Sequence, residues 1–482
     1  MSILSKGMSI LSKGGITEEL SNRIVKIDFN DIPKDVIAIS KKAILDGIGV
    51  AIAGSTDQAS NIICDFVKEI NGKKISTVIL KPFKTTPILA ALANGTMMHS
   101  LDYDDTNWKG VLHPTTVILP SILSLGEEKN INGQGILTAY VLGVETEIKL
   151  ARGVFPSHYN QGWHPTSSLG TIGAAVATGK ILKLNKEELC NSIGIAVSQV
   201  AGIMANQGSM TKPFHAGKAA FNGMMASILA KKGLTANKNI LEDGFVKVFG
   251  EIEENDLDVN IRNFGNPFEI TLSGISIKRY PCCASIHPAI DGILKLMKNN
   301  VIRPKYIKKI ECILHPRRMA TINRPHISSA LEGKFSTQYC IAMAILENKV
   351  DLDTFSNDRF PFDVNIREMM NKIEVKGYPY FTNNVKEEVD TLATEVKIKL
   401  YDEKEYSESV QKIKVLGPSI SIEDDIEIID KFKNCCNGIL GKNIVKKLIK
   451  QIDEFENIDN IGKFMNFFRI KYLEKNTKIN AQ

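Results

Sequence analysis

Three stretches of this chain are apolar yet built largely from its smallest residues. Gly170–Gly179 reads GTIGAAVATG, Gly194–Ala205 reads GIAVSQVAGIMA, and Ala216–Ala230 continues in the same style. Glycine costs a helix interior about 1 kcal/mol relative to alanine, so its repeated use in helical stretches needs a compensating gain. Close approach between helix backbones supplies one. Val36–Ala53, Pro87–Ser100 and Ile136–Ala151 carry apolar residues at spacings of three and four, the signature of helices with a buried face. Together these segments predict one large helical bundle over residues 15–273. The preceding MSILSKG, present twice in tandem at 1–7 and 8–14, reads as a duplicated start and is set aside.

The pattern changes after Gly274. Ile310, Cys312 and Leu314 alternate along Ile307–Leu314, and Val396, Ile398 and Leu400 alternate with Lys397 and Lys399. Ile413 and Val415 flank Lys414 in the same way. A period of two is that of half-buried antiparallel strands, and Asp402–Lys404 reads as a hairpin turn. Pro288–Lys298 and Thr337–Leu346 read as helices between them. Residues 274–416 are therefore predicted as an α+β domain, closed by Gly417-Pro418. Helical patterning returns in Asp424–Phe432, Ile444–Phe455 and Ile461–Tyr472. The expected fold is mainly α: a helical domain made of 15–273 and 417–482, discontinuous in sequence, with the α+β domain inserted. A cleft between two domains is a favoured place for a small ligand.

Composition excludes several classes. The net charge of +6 over 482 residues is small, and acids and bases are interspersed, so no nucleic-acid footprint is present. No window reaches the ~18 apolar residues of a membrane span. Eight cysteines form no C-x-x-C pair, which argues against a zinc or iron–sulfur site. Without an export signal they read as reduced thiols of a cytoplasmic protein. Dinucleotide-binding, P-loop and nucleophile-elbow motifs are absent.

What remains is histidines, lysines and acids. Four of the eight histidines precede proline: His113, His164, His287 and His315. Proline suits the first turn of a helix. His113-Pro-Thr-Thr and His164-Pro-Thr-Ser both lead into apolar runs, which places each imidazole at a helix N-terminus, an anion-friendly position. Ahead of His113 lies Leu101-Asp-Tyr-Asp-Asp-Thr106, whose carboxylates are placed to orient an imidazole and tune its pKa. Lys212 in T-K-P and Lys278 in K-R-Y-P-C-C are candidate point charges for an anionic ligand. Cys282 and Cys283 are candidate thiols beside Lys278 and Arg279. This inventory suits proton transfer next to a carboxylate, with cations holding the substrate.

The ordered blocks LDYDDT (101–106), His113-Pro114, GWHPTS (162–167), MANQGSMTKPFHAGKAA (204–220) and KRYPCCASIHPAID (278–291) resemble the MmgE/PrpD family. That family includes 2-methylcitrate dehydratase, cis-aconitate decarboxylase and iminodisuccinate epimerase. The resemblance implies a cofactor-free and metal-free homodimer acting on a small tricarboxylate, with a helical domain and a smaller α+β lid. Residues matching the decarboxylase branch are Asp102, Thr106, His113 (on a loop one residue longer), His164, Lys212, Lys278 and, in the F-x-x-Q-Y stretch, Tyr339. The implied roles are acid/base for His113 and His164, orientation for Asp102 and Thr106, and substrate binding for Lys212, Lys278 and Tyr339. Cys283 departs from the pattern, since decarboxylases carry a histidine there. The alternatives are an epimerase of a small dicarboxylate and a non-catalytic binding protein on the same fold.

Overall fold

The structure is a computed structural model that describes residues 15–250, 254–360, 363–378, 392–410 and 421–469. It is mainly helical with a small sheet. The helices that matter here are α1 (Lys34–Gly54), α2 (Pro87–His99), α3 (Thr115–Lys129), α4 (Gly133–Val154), α5 (Pro165–Ile181), α6 (Lys186–Val197) and α7 (Thr211–Lys231). Beyond them lie α8 (His287–Asn299), α9 (Pro316–Ile322), α10 (Thr337–Glu347), α11 (Ile422–Cys436) and α12 (Lys442–Asp453). None of the described helices is long and apolar enough to cross a membrane.

The small-residue helices do pack backbone to backbone. A Cβ on Gly217 of α7 would sit 2.2 Å from the Leu92 carbonyl oxygen of α2. One on Gly95 of α2 would sit 2.8 Å from the Gly217 Cα. On the next face of α7, a Cβ on Gly223 would lie 2.5 Å from the Thr171 carbonyl of α5. Only glycine permits these crossings. The third small-residue stretch behaves differently. Its helix, α6, stops at Val197, and Gly202 turns with φ +104° so that its carbonyl accepts from His164 N–H at 3.0 Å. Gly194–Ala205 is thus the last turn of a helix followed by a loop shaped around a histidine.

One hydrophobic core joins α1–α5 and α7 to the C-terminal helices: Val36, Ile48, Met97, Ile118 and Ala216 share it with Ile428, Phe432, Leu448 and Phe464. A separate core is built by residues between Cys282 and Leu400. There, β1 (Ile307–Leu314), β2 (Ile373–Gly377), β3 (Thr394–Leu400) and β4 (Glu405–Val410) form a sheet in the order β2-β1-β3-β4. β1 pairs parallel to β2 and antiparallel to β3, and β3 is antiparallel to β4. Ile310, Cys312 and Leu314 are buried with Val396, Ile398 and Leu400, as their alternation requires. The opposite face carries ion pairs such as Lys309–Glu374 at 2.6 Å. The hairpin turn over Asp402–Lys404 is present, but its second strand is Glu405–Val410; Ile413, Val415 and Gly417-Pro418 lie outside the described residues.

All four His-Pro pairs open helices: α3 and α5 begin at or one residue past the proline, α8 at His287, and α9 at Pro316. The dipeptide is therefore a helix-start device throughout, and only two of the four histidines face the cavity described next.

Candidate active site

The loop Leu101–Thr106 joins the C-terminus of α2 to the turn before α3 and is bound at both ends. Thr106 exchanges two backbone hydrogen bonds with Ser276, at 2.9 and 2.8 Å, which brings Lys278 against the loop. Lys431 of α11 donates to the Tyr103 carbonyl at 2.7 Å and pairs with Asp46 of α1 at 2.6 Å. Lys334 donates to the carbonyls of Leu101 and Pro281 at 2.8 and 3.1 Å. Burial pushes the Lys334 ammonium down to about 8. Asp102 adopts φ +51° at the head of the loop, a left-handed conformation unusual outside glycine.

A cavity of about 50 Å³ lies against this loop. Six of the seven residues singled out from sequence line it: Asp102, Thr106, His113, His164, Lys212 and Lys278. Cys283 and Arg318 line it too. Tyr339 does not. It is fully buried in the second core, packs against Phe355 and Phe360, and donates its hydroxyl to the Thr354 carbonyl at 2.6 Å. The substrate contact expected of Tyr339 is therefore not present at this cavity. Larger surface grooves exist, two of them near helices already named. One of about 850 Å³ is lined by residues such as Ile24, Asn130 and Lys180 and has no histidine or cysteine. The other, of about 460 Å³, lies beside α11 and shares Lys278 with the cavity.

Asp102 is expected from sequence to orient an imidazole. Instead its Oδ1 accepts from Lys212 Nζ and lies 3.1 Å from Lys278 Nζ, which also donates to the Asp102 carbonyl at 2.8 Å. Burial alone would raise the Asp102 carboxyl, but the two ammonium groups outweigh it and hold it well below the usual range. Burial likewise opposes charge on Lys278, and Asp102 with Asp104 reverses this and raises it. Lys212 stands in the first turn of α7 rather than on a preceding loop.

Orientation of the imidazoles falls to other groups. His113 Nδ1 is 2.7 Å from the Asp105 carbonyl, 3.3 Å from Thr106 Oγ1 and 3.4 Å from Asp104 Oδ2. A carbonyl only accepts, so Nδ1 carries the proton and Nε2 keeps its lone pair. The His113 backbone N–H donates to Thr166 Oγ1 at 3.1 Å, coupling the two His-Pro helix starts. His164 Nδ1 meets His215 Nδ1 of α7 at 3.1 Å, so one of the pair donates and the other accepts. His99, the last residue of α2, bonds Asp104 Oδ2 through Nδ1 at 2.8 Å. Its ring lies 4.9 Å from that of His113 and 5.9 Å from that of His164. Four imidazoles thus form one array.

Burial drives His113 down to about 3 and His215 to about 4, and holds His164 well below its ordinary value with Lys212 adding to the effect. At neutral pH these rings are neutral, able to accept a proton. His99, Asp104 and His113 could together offer three ligands to a metal ion. However, His113 Nδ1–H is committed to the Asp105 carbonyl, a pattern of hydrogen bonding rather than of three lone pairs converging on one point.

His99 and His215 escaped notice in the sequence. His99 sits at the end of an apolar helix with no proline to mark it, whereas His215 lies inside the T-K-P-x-H-x-G block, three residues after Lys212, a one-turn spacing that could have found it.

Buried lysines and neutral imidazoles line a small cavity on a mainly helical scaffold, an arrangement chemically able to hold an anion and exchange protons. Residues 18–258 match the MmgE/PrpD N-terminal domain and residues 280–456 the MmgE/PrpD C-terminal domain, and the chain belongs to the MmgE/PrpD family. It is 28% identical over 460 residues to the cis-aconitate decarboxylase of Homo sapiens, covering 92% of each chain. It is 26% identical over 488 residues to that of Aspergillus terreus, covering 94% of this chain and 96% of the relative. A cis-aconitate decarboxylase-like protein of Aspergillus oryzae, oryM, is 27% identical over 373 residues, 71% of this chain and 76% of its own.

Proposed function

We propose that this protein is a lyase that moves a proton next to a carboxylate of a small tricarboxylate, with decarboxylation of cis-aconitate as the reaction its relatives favour. The observation that carries the reading is the convergence of Lys212 and Lys278 on one Asp102 oxygen at the wall that also presents His113 and His164. In this reading the lysines, with Arg318, hold substrate carboxylates, and His113 Nε2 and His164 exchange protons with carbon. Thr106 steadies His113. Developing negative charge on the substrate is met by the fixed cations. No metal or organic cofactor is required by this chemistry. Residues 15–273 and 417–482 are assigned to the helical part and 274–416 to the lid, the ends 417–420 and 470–482 lying outside the described residues, and the working unit is a homodimer, which light scattering of the purified chain would measure.

The test is direct. Purified protein is mixed separately with cis-aconitate, 2-methylcitrate, citrate and iminodisuccinate, and products are followed by NMR. Consumption of cis-aconitate with release of carbon dioxide is expected. Turnover of 2-methylcitrate or iminodisuccinate in its place would reassign the reaction to dehydration or epimerisation, and no turnover of any would refute the lyase. His164→Ala and Lys212→Ala should each lower kcat/KM by about 10²-fold or more.

A further inference from the structure

Asp104 is left without a role by the chemistry above, yet it is the most demanding residue to place. Its carboxylate is fully buried. Oδ2 lies 2.8 Å from His99 Nδ1 and 3.4 Å from His113 Nδ1, while Oδ1 meets no hydrogen-bond donor among the described residues. The two nearby lysines that line the cavity make their ion pairs with Asp102 instead. Burial would raise the Asp104 carboxyl, and the two imidazoles reverse this and hold it well below the usual range. An ionised carboxylate in a dry site is costly unless a positive charge compensates it. The neighbouring groups that can acquire such a charge are the imidazoles.

The tautomers agree with this. An ionised carboxylate only accepts hydrogen bonds, so His99 Nδ1 carries its proton and Nε2 is bare. That Nε2 is buried and has no hydrogen-bond partner among the described residues. His99 therefore cannot serve as a proton donor through Nε2 in this state. It stands as a wall between His113 and His164, anchored by Asp104, with its ring near-parallel to His164 at 21°.

We propose that Asp104 is the positioning and counter-charge residue of the site. It fixes His99 as the support of the imidazole array, and its negative charge balances the imidazolium of His113. The inference rests on the lyase reading for the proton-transfer step. In that step the C–C bond to the departing carboxylate breaks and its electron pair becomes the new double bond. The pair of the old double bond takes the proton from His113 Nε2 at the neighbouring carbon. Carbon dioxide leaves, His113 becomes neutral, and water returns a proton to it. The resting ring is neutral, so it first takes up a proton at Nε2 from water; Asp104 keeps its charge throughout and stabilises the imidazolium so formed before the step. In the reverse sense, abstraction of a substrate proton, it stabilises the same ring afterwards.

Two measurements on the full-length protein test this. Asp104→Asn keeps the shape and one accepting oxygen but removes the charge. Its kcat should fall about 10²-fold or more, with KM within about threefold, in a variant whose circular dichroism matches the parent. A kcat within about threefold of the parent would overturn the counter-charge role. The second readout needs no turnover. In ¹⁵N-histidine-labelled protein, two-bond ¹H–¹⁵N spectra should show His99 as a single Nδ1–H tautomer. Asp104→Ala should convert it to Nε2–H or a mixture, and the Asn variant, which retains an acceptor, should keep Nδ1–H. A His99 tautomer that ignores Asp104→Ala, or an Nε2–H tautomer in the parent, would overturn the anchoring role. Should the parent turn over no tricarboxylate, the lyase reading fails while the tautomer spectra still decide whether Asp104 anchors the array.

Discussion

Among single residues, Asp102 shows how charge is apportioned in this site. The sequence singles out the 101–106 loop, three acids ahead of a His-Pro helix start, against the alternative of a solvated acidic turn. It does not say which acid meets which base. That depends on the left-handed turn at Asp102, which sends its carboxylate to the lysines and leaves Asp104 for the imidazoles. Tyr339 lies away from the cavity for a related reason: a sequence block shows that a residue type is present, whereas the direction of its side chain is set by packing, here against Phe355 and Phe360. A consequence of the Asp102 cluster is measurable. Lys278→Met leaves a buried carboxylate short of one cation and should destabilise the fold by about 3 kcal/mol. The double variant Lys278→Met/Asp102→Asn should recover part of that loss, and denaturant unfolding of the four proteins in the cycle yields the coupling.

The helices were legible as elements because their apolar period is long and strong; α1, α2, α4 and α8 fall where the spacing places them. The strand β2, five residues close behind a helix, offers too short an alternation to be read. What the small residues predicted best was contact, and that contact bears on the site. Gly95 lies four residues before His99 on α2, and Gly217 lies two after His215 and five after Lys212 on α7. Their crossing therefore sets the distance between a lysine and two imidazoles. Gly217→Ala pushes a methyl group into the Leu92 carbonyl and should cost about 1–3 kcal/mol of stability. Differential scanning calorimetry would measure it. Activity should fall beyond the loss of folded protein, because the array is spread as well as loosened. An alanine variant with parent-like melting and turnover would show that the crossing tolerates expansion.

For the molecule as a whole, a mainly helical chain with a small sheet is legible in the sequence pattern, while the sheet order β2-β1-β3-β4 is not, because parallel pairing of β1 with β2 leaves no local trace. Buried acids give the whole fold a pH signature. Burial pushes Glu145 up to about 7 and Asp105 up to about 8. Their folded pKa values exceed the unfolded ones, so the associated stability is full below about pH 4 and is lost as pH rises through 7 to 8. The buried histidines act in the opposite sense, but only below about pH 6.5, where the unfolded chain takes up their protons. Between pH 7 and 9 the melting temperature should therefore decline, and Asp105→Asn should flatten the decline. The small cavity has a consequence of its own. At about 50 Å³ it holds on the order of four water molecules, far less than a tricarboxylate needs. Its walls come from elements of both cores: Lys212 on α7 and His164 at α5 on one side, Arg318 on α9 and Cys283 on the other. Substrate admission and product escape then require those walls to part, a displacement that drags solvent. The turnover rate should accordingly fall as sucrose thickens the medium, in proportion to microscopic viscosity wherever parting, rather than proton transfer, is the slowest event.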